Sequence, residues 1–147
     1  MVDLIPTLQT AIGPVILISG VALLLLTMTN RLGRAIDRAR LIGASLAEPD
    51  PPARPALEAQ LHILWRRSRL IRAAIALATI SALMAATLVI ALFFSALLPV
   101  EVPWLITLLF VACMLSLILA LGLFLHDINQ SLAALRLEMR SHGIDDL

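Results

Sequence analysis

Lysine is missing from this chain: all eleven of its basic residues are arginine. None of them occurs before Arg31. A secretory signal peptide needs a basic segment ahead of its apolar stretch, so a cleavable leader is not expected. The first apolar run is read as a retained anchor. Cysteine occurs once, as Cys113, which excludes an intramolecular disulfide. The histidines His62, His126 and His142 each stand alone. Metal sites need clustered His, Cys or carboxylate ligands, and nucleophilic catalysis needs a Ser or Cys beside an oriented base. Neither constellation is present, nor is a glycine-rich phosphate loop or a pair of carboxylates. The expectation is a non-enzyme with no cofactor and no metal. A net charge of +1 gives no reason to expect a nucleic-acid partner.

What the chain has in excess is apolar surface. Its apolar fraction is 61% and its mean hydropathy +0.99, against roughly 45–50% apolar in soluble domains. A chain of 147 residues cannot hide that much apolar surface from water. The expected class is a single all-α membrane domain, residues 1–147, facing the lipid bilayer.

Three runs satisfy the roughly 17–25 residues that a transmembrane helix requires. They cover about residues 13–30, 73–98 and 104–126. The first is expected to start near Pro14, where a proline is tolerated because its missing N–H would be unpaired anyway. Leu4, Leu8 and Ile12 suit a short helix lying in the interface before it, with a frayed terminus as the alternative. Gly13, Gly20 and Thr27 fall seven apart, a stripe that would let a neighbouring helix approach closely. Ala74, Ala78, Ala82 and Ala86 recur every four in the second span, predicted to be the most buried of the three. Ala112, Ser116 and Ala120 give the third span its own small-residue face. Cys113, in mid-span, is read as a packing residue.

The helices are expected to continue beyond these spans. Residues 31–72 read as a helical hairpin interrupted by the proline-rich segment from Glu48 to Pro55. Leu57, Leu61, Leu64, Ser68 and Ile71 take coiled-coil a/d spacing and should pack on Leu32, Ile36 and Ala39. Residues 127–141 read as a C-terminal helix with the stripe Leu125, Ile128, Leu132, Leu135 and Met139. Pro99 to Pro103 permits only an antiparallel return, and Trp104 suits the membrane edge.

Every arginine lies between the first and second spans or after the third. Basic loops stay cytoplasmic. The expected topology has the N-terminus outside, the Pro99–Pro103 hairpin outside and the C-terminus in the cytoplasm, in a bacterial inner membrane. The inner extensions carry apolar stripes that must pack on one another, on another copy or on the inner leaflet.

One polar cluster merits a hypothesis. Asn30 and Arg31 end the first span, Arg69 and Arg72 begin the second, and His126 to Gln130 end the third. Asp127 is the only acid at that level, and a partly buried carboxylate is costly unless paired. It should therefore pair with Arg31, Arg34 or Arg72. The candidate cluster is Asn30, Arg31, Arg34, Arg72 and Asp127. It could line an anion vestibule, or it could set topology and touch anionic headgroups at about 1 kcal/mol per arginine.

Ile12–Ser19, Asn30–Arg40, Arg66–Arg72 and Ser131–Glu138 together resemble a bacterial family of small membrane proteins, domain of unknown function 2721. Asn30-Arg-Leu-Gly-Arg34 is the most specific part. The resemblance implies an integral bacterial membrane protein and supplies no activity, ligand or site residue. The residues themselves favour a scaffold or small regulatory subunit, associating through its helical arms with another copy or a partner membrane protein. The alternative is a homo-oligomeric channel or small transporter with an arginine-lined inner vestibule.

Overall fold

Each apolar run belongs to a helix much longer than a bilayer is thick. The computed structural model describes residues 4–48, 54–97 and 103–141, with the side chains of 4, 7 and 132–141 excepted. Its helices are α1 Leu4–Leu46, α2 Arg54–Leu97 and α3 Pro103–Ser141. At 1.5 Å per residue, the 43 residues of α1 reach about 65 Å. All three are long and apolar enough to cross a membrane. The expected hairpin at Pro99–Pro103 falls outside the described residues except for Pro103, which opens α3 where a proline needs no N–H partner. Pro55 occupies the first turn of α2 in the same way.

Pro14 does not start the first helix. It lies inside α1, ten residues after the helix begins, and the separate interfacial helix expected before it is absent. A proline within a helix removes one backbone bond, but the turns on either side hold this one in register.

α2 packs along both neighbours. Its buried residues Leu64, Ile71, Ala74, Ala78, Ser81, Ala85 and Leu88 fall on one three–four alternation. α1 does the same from Ala11 through Val21 and Met28 to Ile42, and α3 through Cys113, Ser116, Ala120 and Asp127. Near-parallel helices use this spacing because two residues in seven keep a stripe facing its partner. Val21, Ala78 and Ala120 meet at the centre, one from each helix. α2 thus lies between its neighbours and its apolar span is the most buried of the three, as expected.

Ser116 and Ala120 of α3, and Ala74 and Ala78 of α2, are buried as the small-residue stripes suggested, but the α1 stripe is rotated and the α2 repeat departs after Ala78. Gly13, Gly20 and Thr27 are exposed, one residue off the Val21–Met28 line. In α2, Ala82 is half-buried and Ala86 exposed, while Ser81 and Ala85 are fully enclosed. A four-residue repeat gains about 40° per step on a 3.6-residue helix, so it drifts off any straight partner. Leu125, at the head of the stripe expected in α3, is 58% exposed. A Cβ added at Gly20 meets nothing within 4 Å. We therefore expect Gly20→Ala to raise stability in detergent by about 0.5–1 kcal/mol, through helix propensity alone. A loss on thermal unfolding would contradict this placement of α1.

Hydroxyls on the outward faces are satisfied within their own helices. Ser19 donates to the Val15 carbonyl, Thr27 to Leu23, Thr79 to Ile75 and Thr87 to Leu83. This back-bonding satisfies an outward-facing serine or threonine without a neighbour.

Candidate functional site

Where α3 leaves its uncharged segment, Asp127 turns into the bundle and is fully enclosed. It continues the line of Cys113, Ser116 and Ala120, so the rotation that buries those residues buries the carboxylate too. An isolated carboxylate there would cost several kcal/mol. Two arginines offset that cost. Nε of Arg67, from α2, donates to Oδ1 at 3.3 Å. Nη2 of Arg31, from α1, lies 3.4 Å from Oδ2. That is ion-pairing distance without hydrogen-bond alignment, and Oδ2 has no hydrogen-bond partner among the described residues.

The tie therefore joins all three helices at one carboxylate. Arg67 extends it by donating from Nη2 to Oγ of Ser131 at 3.1 Å, one turn further along α3. The Arg31 guanidinium also stands 5.4 Å from the centre of the Phe124 ring, within cation–π range. The arginine side chains remain 22% and 25% exposed, while the carboxylate is fully enclosed. With the acid enclosed and both cations engaged on it, the arrangement ties the three helices together. Among the described residues no three His, Cys, Asp or Glu could hold a metal ion.

Of the five residues expected in the cluster, the structure brings Arg31 and Asp127 together. Asn30, Arg34 and Arg72 are exposed, and neither arginine is among the carboxylate's ion-pair partners. Arg67, which the sequence reading did not assign to the acid, takes their place. The signal was available in its register: Arg67 falls on the Leu64–Ile71–Ala74 line, whereas Arg66, Arg69 and Arg72 fall off it. His126 and Asn129 are exposed, and His126 shares a 2.9 Å hydrogen bond with Gln130.

A second polar contact joins α2 and α3 deeper in the bundle. The Ser81 hydroxyl donates to the Cys113 carbonyl at 3.0 Å, and the Cys113 thiol donates back to the Ser81 carbonyl at 3.2 Å. Ser116 donates to the Leu77 carbonyl at 2.8 Å. Cys113 thus binds as well as packs. Interhelical bonds of this kind contribute about 0.6 kcal/mol each on average.

Beyond Asp127, α1 and α2 border an open groove of about 580 Å³. Ile36, Ala39, Leu61 and Trp65 form its apolar lining, with Arg40 on the α1 wall and Glu58 on the α2 wall. Arg72 closes the end nearest the apolar spans.

A family model described as protein of unknown function, DUF2721, matches residues 11–137. The chain belongs to the DUF2721 family. The DUF2721 match takes in the Asp127 tie, the Ser81–Cys113 contact and the groove together. No curated protein and no solved structure matches the chain.

Proposed function

We propose that this DUF2721 protein is a multi-pass protein of a bacterial cytoplasmic membrane that serves as a non-enzymatic scaffold or small regulatory subunit. Its N-terminus lies outside, and its arginine-bearing extensions form a cytoplasmic bundle. The observation that carries this reading is the Asp127 tie. Arg31, Arg67 and Asp127 fasten the three helices where the uncharged segments end, so the extensions leave lipid as one oriented unit. Such a unit presents a helix-on-helix docking surface, and the α1–α2 groove runs along it. The arginine distribution supports the orientation through the positive-inside rule.

The topology is checked with a tag after Leu147 in intact cells. Protection from added protease is the expected result, and cleavage without lysis would reverse the orientation. The scaffold role is checked by cross-linking in native membranes followed by mass spectrometry. A stoichiometric protein complex held through the extensions is expected. A closed ring of copies that conducts ions in liposomes would replace the scaffold with a channel.

A further inference from the structure

We infer that the α1–α2 groove is occupied by the same groove of a second copy, the two chains being related by a two-fold axis running along the helices. The inference rests on the extensions being association surfaces and names what they associate with.

Heights along the bundle follow from the tie. Arg31 and Arg67 reach the same carboxylate, so they stand level. Arg40 lies nine residues beyond Arg31, and Glu58 lies nine residues from Arg67 in the same direction, because α1 and α2 run antiparallel. Both are therefore about 14 Å past the tie at 1.5 Å per residue. They flank the groove on opposite walls, yet no ion pair joins them among the described residues. A two-fold axis through the groove sets the α1 wall of one copy against the α2 wall of the other. Arg40 then faces Glu58 of the partner subunit at its own height, and the reciprocal pair forms on the other side. An isologous contact requires this kind of self-complementarity.

One heptad nearer the tie, the same operation relates Gly33 and Trp65, each seven residues from the charged pair. Trp65 is 58% exposed and lines the apolar groove. Gly33 is exposed, and nothing lies within 4 Å of where its Cβ would be. A large ring thus meets a position with no side chain. Level with His62, Ile36 offers further apolar surface. A lipid chain fits less well, because the lining extends along the extensions away from the apolar spans, with an acid on one wall. Arg72, at the opposite end, is left to headgroup phosphates.

The test uses full-length protein in liposomes at low protein-to-lipid ratio, with donor and acceptor fluorophores on separate populations. Wild type should show energy transfer at the level of a dimer. Arg40→Glu and Glu58→Arg should each weaken self-association at least tenfold, since each sets like charges against each other on both sides. Mixing the two variants should restore transfer, because one chain then carries both acids and the other both bases. Gly33→Leu should leave thermal stability intact while weakening the dimer at least tenfold. The inference is overturned by single reversals that associate like wild type, by a mixture that does not recover, by assemblies of three or more copies, or by a wild-type monomer with only lipid bound. The protease and cross-linking outcomes above are read independently, so either idea can fail alone.

Discussion

Arg67→Leu is expected to lower the stability of the detergent-solubilised protein by about 3 kcal/mol, the low end of what breaking a buried ion pair costs. The low end applies because Arg31 remains 3.4 Å from Oδ2. For a chain of this size that is a fall of roughly 6–12 °C in unfolding midpoint. The loss follows from what stays behind. Asp127 is 0% exposed and would lose the one side chain among the described residues that hydrogen-bonds it, while Ser131 would lose the Arg67 donor. Arg72→Leu is the matched control. It removes the same charge from an exposed position and should stay within about 0.5 kcal/mol. Replacing Arg67 and Asp127 together by leucine should recover much of the loss, because no enclosed carboxylate is then left short of a partner. Equal effects of the Arg67 and Arg72 substitutions would refute the assignment of Arg67 to the tie.

Ala78→Leu should cost about 3 kcal/mol or more, and the variant should lose its compact form on size exclusion in mild detergent. Ala78 is fully enclosed and meets Val21 and Ala120 where the three helices come closest. A leucine adds three carbons where there is no space, and the helices must separate or the side chain must leave its rotamer. Overpacking of this kind costs about 1–3 kcal/mol, occasionally more, and here it also spreads the adjoining Ser81–Cys113 contact. Ala86→Leu, two turns along the same helix, is exposed and should be neutral within about 0.5 kcal/mol. Chemical unfolding of the two variants side by side tests the register of α2 directly. If Ala86→Leu proved the more harmful, the four-residue stripe would be the packed one after all.

The two experiments probe what was hardest to read from residues alone. In a soluble helix the apolar face marks the core, but here nearly every face is apolar. Lipid tails are as apolar as leucine, so hydrophobicity does not separate the side facing a helix from the side facing the membrane. Small residues were the remaining cue, and they misled by one position in α1, where Gly13 and Gly20 look outward. In α2 they misled by following a spacing of four in place of the alternation of three and four. The acid was legible because a single carboxylate among arginines at a span's end must find a cation. Arg31 was among the cations expected for it, but the partner on α2 was not legible, since Arg66, Arg67, Arg69 and Arg72 differ only in the direction each leaves the helix. Among the arginines of α2 the expectation was Arg72, whereas rotation selected Arg67.

The order of residues alone was enough for three long helices, their approximate limits, the greater burial of α2 and the need for Asp127 to be paired. Each of these depends on local composition: unbroken runs of helix-forming apolar residues, prolines between them, and one acid amid bases. Which face of each helix turns inward, and hence which arginine meets the carboxylate and which alanines bear the packing, was decided by the association of the three helices. A rotation of one residue, about 100°, leaves composition and hydropathy unchanged, and only the fit of side chains across the bundle distinguishes one rotation from the next.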